Sequence, residues 1–153
     1  MHRVTDIGAV AITLKLGSEQ TLFVLLSSDG TVNRMGNSSA QPTDRDLYIG
    51  RTREPLLPAL LTHLTDNVLR LIGSYDDPDK RGTPCRLSIA LKFLDGTEDG
   101  FDFSYGSDSL GPPDDIFSFV QAAVAITEPW YTKQQAMVQD AERSPTKPWW
   151  KFW

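Results

Sequence analysis

Few residues in this chain are of types that make or break bonds, and their spacing limits what they could do. Two histidines, His2 and His63, and one cysteine, Cys85, are the natural candidates for acid–base, nucleophilic or metal chemistry. They stand far apart in the chain. His63 falls on the polar side of an amphipathic stretch, His2 belongs to a terminus expected to be mobile, and Cys85 opens a strand as a small buried hydrophobe. A lone cysteine excludes an intrachain disulfide and a multi-cysteine zinc site. Asp76, Asp77 and Asp79 cluster in one loop. A calcium loop, however, needs alternating carboxylates, a glycine turn and a closing glutamate. Here Pro78 interrupts the run and Lys80 and Arg81 neutralise it, so a salt-bridged surface turn is expected and no metal site is read. Neither the lysine-bearing phosphate loop nor the dinucleotide glycine fingerprint occurs, and no cofactor is implied.

Two glycine- and serine-bearing loops, Gly36 to Ser39 and Gly106 to Ser109, offer backbone N–H groups and hydroxyls of the kind that hold small polar ligands. Arg34, Tyr48, Tyr105, Ser107 and Asp108 are the side chains that such a pocket would use. The stretch Ser107-Asp108-Ser109-Leu110 is similar to the Gly-Asp-Ser-Leu motif of one lipase and esterase family, but it departs from that motif in context. Ser107 stands where the motif has glycine, and no histidine follows His63 to act as base. A polar turn ahead of a helix is the expectation.

The end of the chain, SPTKPWWKFW, is the most distinctive stretch. Trp149, Trp150, Phe152 and Trp153 surround Lys151, and exposed aromatics on this scale call for a cover. The cover is either the protein's own groove or a partner that takes the tail as a linear docking motif. Contact with a membrane interface is a further option. The net charge of −5 argues against nucleic acid.

The elements that position these residues follow from periodicity. Val10, Ile12, Leu14 and Leu16 share one parity and read as a half-buried strand. Leu22 to Leu26 is continuously apolar, as in an inner strand. Asp29-Gly30 suggests a tight type I′ hairpin returning through Thr31 to Met35, with a short edge strand at Leu47 to Ile49. Leu57, Leu60, Leu61, Leu64, Val68, Leu71 and Ile72 follow helical spacing from Pro55 to a cap at Gly73. Leu87 to Phe93 and Phe101 to Tyr105 form a second hairpin around Asp95-Gly96, with a bulge expected at Asp99-Gly100. A second helix opens at Pro113-Asp114-Asp115, with a kink or restart at Pro129, and ends near Arg143.

The expected fold is therefore α+β in the order β-β-β-α-β-β-α. An antiparallel sheet of about five or six strands carries two helices on one face. The 153 residues divide into one domain, 1–143, and a Pro/Trp-rich tail, 144–153. The start, MHRVTDIGAVAITLKL, alternates in strand fashion and lacks a signal peptide's unbroken apolar run, so a cytoplasmic location is expected. The function that this pattern favours is non-enzymatic protein–protein interaction of an adaptor or inhibitor kind, with Trp149, Trp150, Lys151, Phe152 and Trp153 as the docking segment. The alternative is a small-molecule or enzymatic pocket on the open sheet face at the two polar loops. Homodimerisation through that face is a third option.

Overall fold

The period-two segments do form one sheet. A computed structural model describes residues 2–37 and 46–143. Its strands are β1 (Ile7–Leu16), β2 (Glu19–Ser27), β3 (Thr31–Gly36), β4 (Tyr48–Arg51), β5 (Gly73–Asp76), β6 (Pro84–Phe93) and β7 (Glu98–Gly106). They lie in the order β4-β3-β2-β1-β6-β7-β5 in a 7-stranded sheet. All neighbours are antiparallel except β5, which runs parallel to β7. The helices are α1 (Leu56–Leu61), α2 (Asp66–Leu69) and α3 (Asp114–Arg143). The tail, with Trp149 to Trp153, and residues 38–45 lie outside the described residues. Among the described residues, no helix is long and apolar enough to cross a membrane.

The sheet is thus larger than expected and mixed, and the described residues form three α-helices rather than two. Both differences arise in the leucine-rich stretch after Pro55. Its apolar spacing continues across Thr62-His63-Leu64-Thr65, but the backbone does not stay helical there. The Thr62 hydroxyl donates to the Ala59 carbonyl at 2.6 Å, and Thr65 caps α2 by accepting from the Val68 N–H at 3.2 Å. An N-cap threonine takes an extended backbone, which ends one helix in order to start another. Gly73 then begins β5 instead of closing a helix. Tyr75 stacks on Phe103 at 5.0 Å and its hydroxyl donates to the Leu71 carbonyl, which holds this short strand on the β7 edge.

The inward parity reads across the sheet as Val32, Val24, Ile12, Ile89 and Phe101, and α3 packs on it through Ile116, Phe119, Val120 and Ala123. Both Asp-Gly turns share one geometry, and it is not type I′. Only the glycines take positive φ, 92° at Gly30 and 89° at Gly96. Gly30 N donates to Ser27 O, and Gly96 N to Phe93 O. Each loop is a type I turn closed by a left-handed glycine. The aspartate accepts from the N–H two residues on, Asp29 from Thr31 at 2.9 Å and Asp95 from Thr97 at 3.0 Å. Hydrogen bonds from Thr31 hold the Asp29 carboxyl down at about 2.

The bulge expected at Asp99-Gly100 is absent, since Leu91↔Asp99 and Ala90↔Gly100 stay in register. The irregularities fall in β1 instead, at Ile7/Ala9 against β6 and at Leu14/Lys15 against β2. Gly100 serves close strand approach, because a Cβ there would lie 2.2 Å from the Ile89 carbonyl oxygen. Gly100→Ala is expected to destabilise the fold by roughly 1–3 kcal/mol, read as a lower urea midpoint with unchanged slope.

Candidate functional site

The sequence candidates separate into two groups. Arg34 and Tyr48 are paired across β3 and β4, while Tyr105 ends β7 and Ser107 and Asp108 follow it. Strands β2, β1 and β6 intervene, which sets the groups roughly 19 Å apart at the usual strand spacing. Arg34 and Tyr105 have the parity of the helix-covered face, not of the open one, and both are buried.

At the β7 end the loop is tied to its neighbour. Thr83 N donates to Ser107 Oγ at 2.9 Å, Arg81 N donates to Ser109 Oγ at 3.0 Å, and Ser109 Oγ donates to Asp79 O at 2.6 Å. Asp108 N donates to the Arg81 carbonyl. The serine hydroxyls thus complete the backbone hydrogen bonding of two adjoining turns. A cavity of about 310 Å³ lies beside them, with Cys85, Tyr105 and Phe117 among its walls. Burial pushes the Cys85 thiol up, and burial together with nearby Cys85 pushes the Tyr105 hydroxyl up to about 12. Both groups are protonated near neutrality, the opposite of an activated nucleophile. Among the described residues, no cluster of three or more His, Cys, Asp or Glu is placed to hold a metal ion. The acidic loop is ion-paired, Lys80 with Asp76 and Arg81 with Asp79.

The β3 end holds the most concentrated polar chemistry. Arg34 has 0% exposure, and its guanidinium reaches α3. Nε donates to the Gly36 carbonyl at 2.8 Å, and Nη1 to Thr127 Oγ1 at 2.9 Å and the Val124 carbonyl at 3.2 Å. Nη2 donates to Glu128 Oε2 at 2.9 Å. The Tyr131 ring stacks below the guanidinium, 4.3 Å from centroid to Cζ, and its hydroxyl accepts from Gly36 N at 3.1 Å. Tyr48 meets Tyr131 edge-on at 5.5 Å. Desolvation draws the Arg34 pKa down and the Glu128 carboxylate opposes that. The sequence pattern places Arg34 on a strand but does not reveal Thr127, Glu128 and Tyr131 as its partners. The available signal was a charged residue at inward parity, two places after Val32.

Pro129 lies directly beside this cluster. Proline has no N–H for the carbonyl four residues back, and its ring strains that turn. Yet α3 runs through Pro129 without a restart. The carbonyl left without its N–H is that of Ala125, and Arg34 and Thr127 donate to the two carbonyls just before it, at Val124 and Ala123. Trp130 packs so closely on β4 that a Cβ at Gly50 would sit 2.8 Å from its Cζ2. The cluster is therefore a latch between sheet and helix. On the other face of the sheet, Asn33 Oδ1 is buried with no hydrogen-bond partner among the described residues.

Compared with known proteins, the chain matches no family model, no curated protein and no solved structure.

Removing the latch arginine strands several buried acceptors, whereas Glu128 is half-exposed and water can replace it. Arg34→Ala is expected to cost roughly 2–4 kcal/mol, and Glu128→Ala about 1 kcal/mol or less. Paired chemical denaturation of the two variants checks the difference.

Proposed function

We propose that this chain is a non-enzymatic protein-binding module that docks a partner with the end of the molecule where α3 overruns the sheet. One observation carries the reading. Tyr131 is the last buried residue described on α3, yet the helix continues to Arg143. Beyond Tyr131 the helix projects for about 18 Å at the usual rise per residue. Its apolar spacing persists there, but Met137 is 56% and Val138 40% exposed. A helix this short is marginal alone in water, and an amphipathic face gains its stability from what it packs against. Edge strand β4 lies at the same end, with Ile49 70% exposed and its outer backbone edge unpaired by any described strand.

In sequence, the tail follows directly from this helix. Trp149, Trp150, Lys151, Phe152 and Trp153 thus extend the docking segment in this reading. Tryptophan, present three times in this segment, is among the residues enriched in binding hot spots.

The test places a photo-activated cross-linking residue at 137 in the full chain within its native cell, and at Leu110, also exposed, as control. The expected result is one discrete adduct from position 137 and none from position 110. Met137→Glu with Val138→Glu should abolish binding of that partner without changing Tm. Deleting residues 147–153 should weaken it. Equal labelling from both positions contradicts the proposal.

A further inference from the structure

Residues His2 to Val4 are built into the fold, which contrasts with the mobile terminus expected for His2. The His2 ring stacks on Phe93 at 3.8 Å and 12°, and its Nε2 lies 3.0 Å from Asp95 Oδ2 and 3.1 Å from Thr97 Oγ1. Val4 N donates to Asp66 Oδ1 at 2.9 Å, which ties the segment to α2. Between this segment, α2 and the β6–β7 hairpin lies a cavity of about 540 Å³. That volume falls within the range of small-molecule sites.

The chemistry of the walls selects a ligand class. The floor is apolar and firm, made by Leu69, Ile72 and Phe93, with Leu69 and Phe93 buried. Arg3 and Arg70 stand at the rim, both exposed. Neither guanidinium has an ion-pair partner among the described residues, although the chain carries a net charge of −5. The rim also carries two carboxylates, and each accepts one backbone N–H, Asp66 from Val4 N and Asp99 from Gly100 N. Free donors at this cavity are thus forked guanidiniums, which pair with carboxylate or phosphate by two parallel bonds. The stacked His2 and Phe93 rings add aromatic surface beside them.

We propose that this cavity binds a small planar organic anion. Its flat body rests on the Leu69–Ile72–Phe93 floor and its phosphate or carboxylate lies between Arg3 and Arg70. The site stands apart from the projecting end of α3 and does not depend on the docking reading.

The test is an amide NMR titration of the full chain with 1-naphthyl phosphate and 1-naphthoate, which separate phosphate from carboxylate recognition. Neutral 1-naphthol and cationic 1-naphthylmethylamine are the controls. The expected result is saturable one-to-one binding of at least one anion below millimolar concentration. Shifts should cluster at residues 2–4, 66–72, 93 and 99. Arg3→Gln with Arg70→Gln should weaken it at least about tenfold, with an unchanged circular dichroism spectrum. The proposal is overturned by failure of both anions to saturate, by shifts centred elsewhere, by equal affinity in the double variant, or by the amine binding as tightly as the anions.

Discussion

A charged guanidinium with no exposure sits between β3 and the middle of α3, and the placement of that helix depends on it. Burying an arginine is costly unless every donor finds an acceptor and the charge finds a counter-charge. Four of the five donors find acceptors, and the charge its counter-charge, in groups from two elements: the Gly36 carbonyl on β3, and the Val124 carbonyl, Thr127 and Glu128 on α3. Apolar packing of Phe119 or Val120 tolerates sliding, because dispersion has no direction. The planar fork of Arg34 does not, because a shift of one helical turn would leave its donors facing hydrocarbon. The latch therefore sets the register of α3 on the sheet. With it are set the seating of Trp130 on Gly50 and the point at which the helix leaves the surface.

The remainder of the core is built on close backbone approach. β6 and β7 meet where Gly100 has no side chain, and the 79–83 turn nests against Gly106, where a Cβ would lie 2.1 Å from the Arg81 carbonyl oxygen. These contacts pack the aromatic row of β7 against α3 and leave Ser107 and Ser109 holding turns together. Polar groups that look like chemistry in the sequence are here consumed by backbone satisfaction, as buried or crowded main-chain groups require.

The fold was legible where one local signal decides the structure. Alternation alone places Val10, Ile12, Leu14, Leu87, Ile89 and Leu91 inward, and all six are buried. Asp-Gly marks both hairpin turns, but their type depends on how many residues accept positive φ, and only the glycines do. Other features lie beyond what apolar spacing or a turn signal can show. The leucine periodicity after Pro55 could not show that Thr62 and Thr65 would break the helix, and Gly73 could not show that β7 offered it an edge. Likewise Arg34 and Tyr48 were visible as polar residues near a loop, but Thr127, Glu128 and Tyr131 lie more than ninety positions on from Arg34. His2 and Arg3 became part of a cavity only through contacts with the β6–β7 hairpin and α2.

The Arg34 latch and Tyr131 mark the border in α3 between a longer part held by the sheet and a shorter part beyond Tyr131 with no buried residue described. Amide hydrogen exchange along α3 in the isolated protein tests this division most directly. The account predicts strong protection from Ile116 to Tyr131 and a sharp fall beyond it, with fast exchange around Met137 and Val138. Uniform protection through Asp140, or a boundary far from Tyr131, would contradict it.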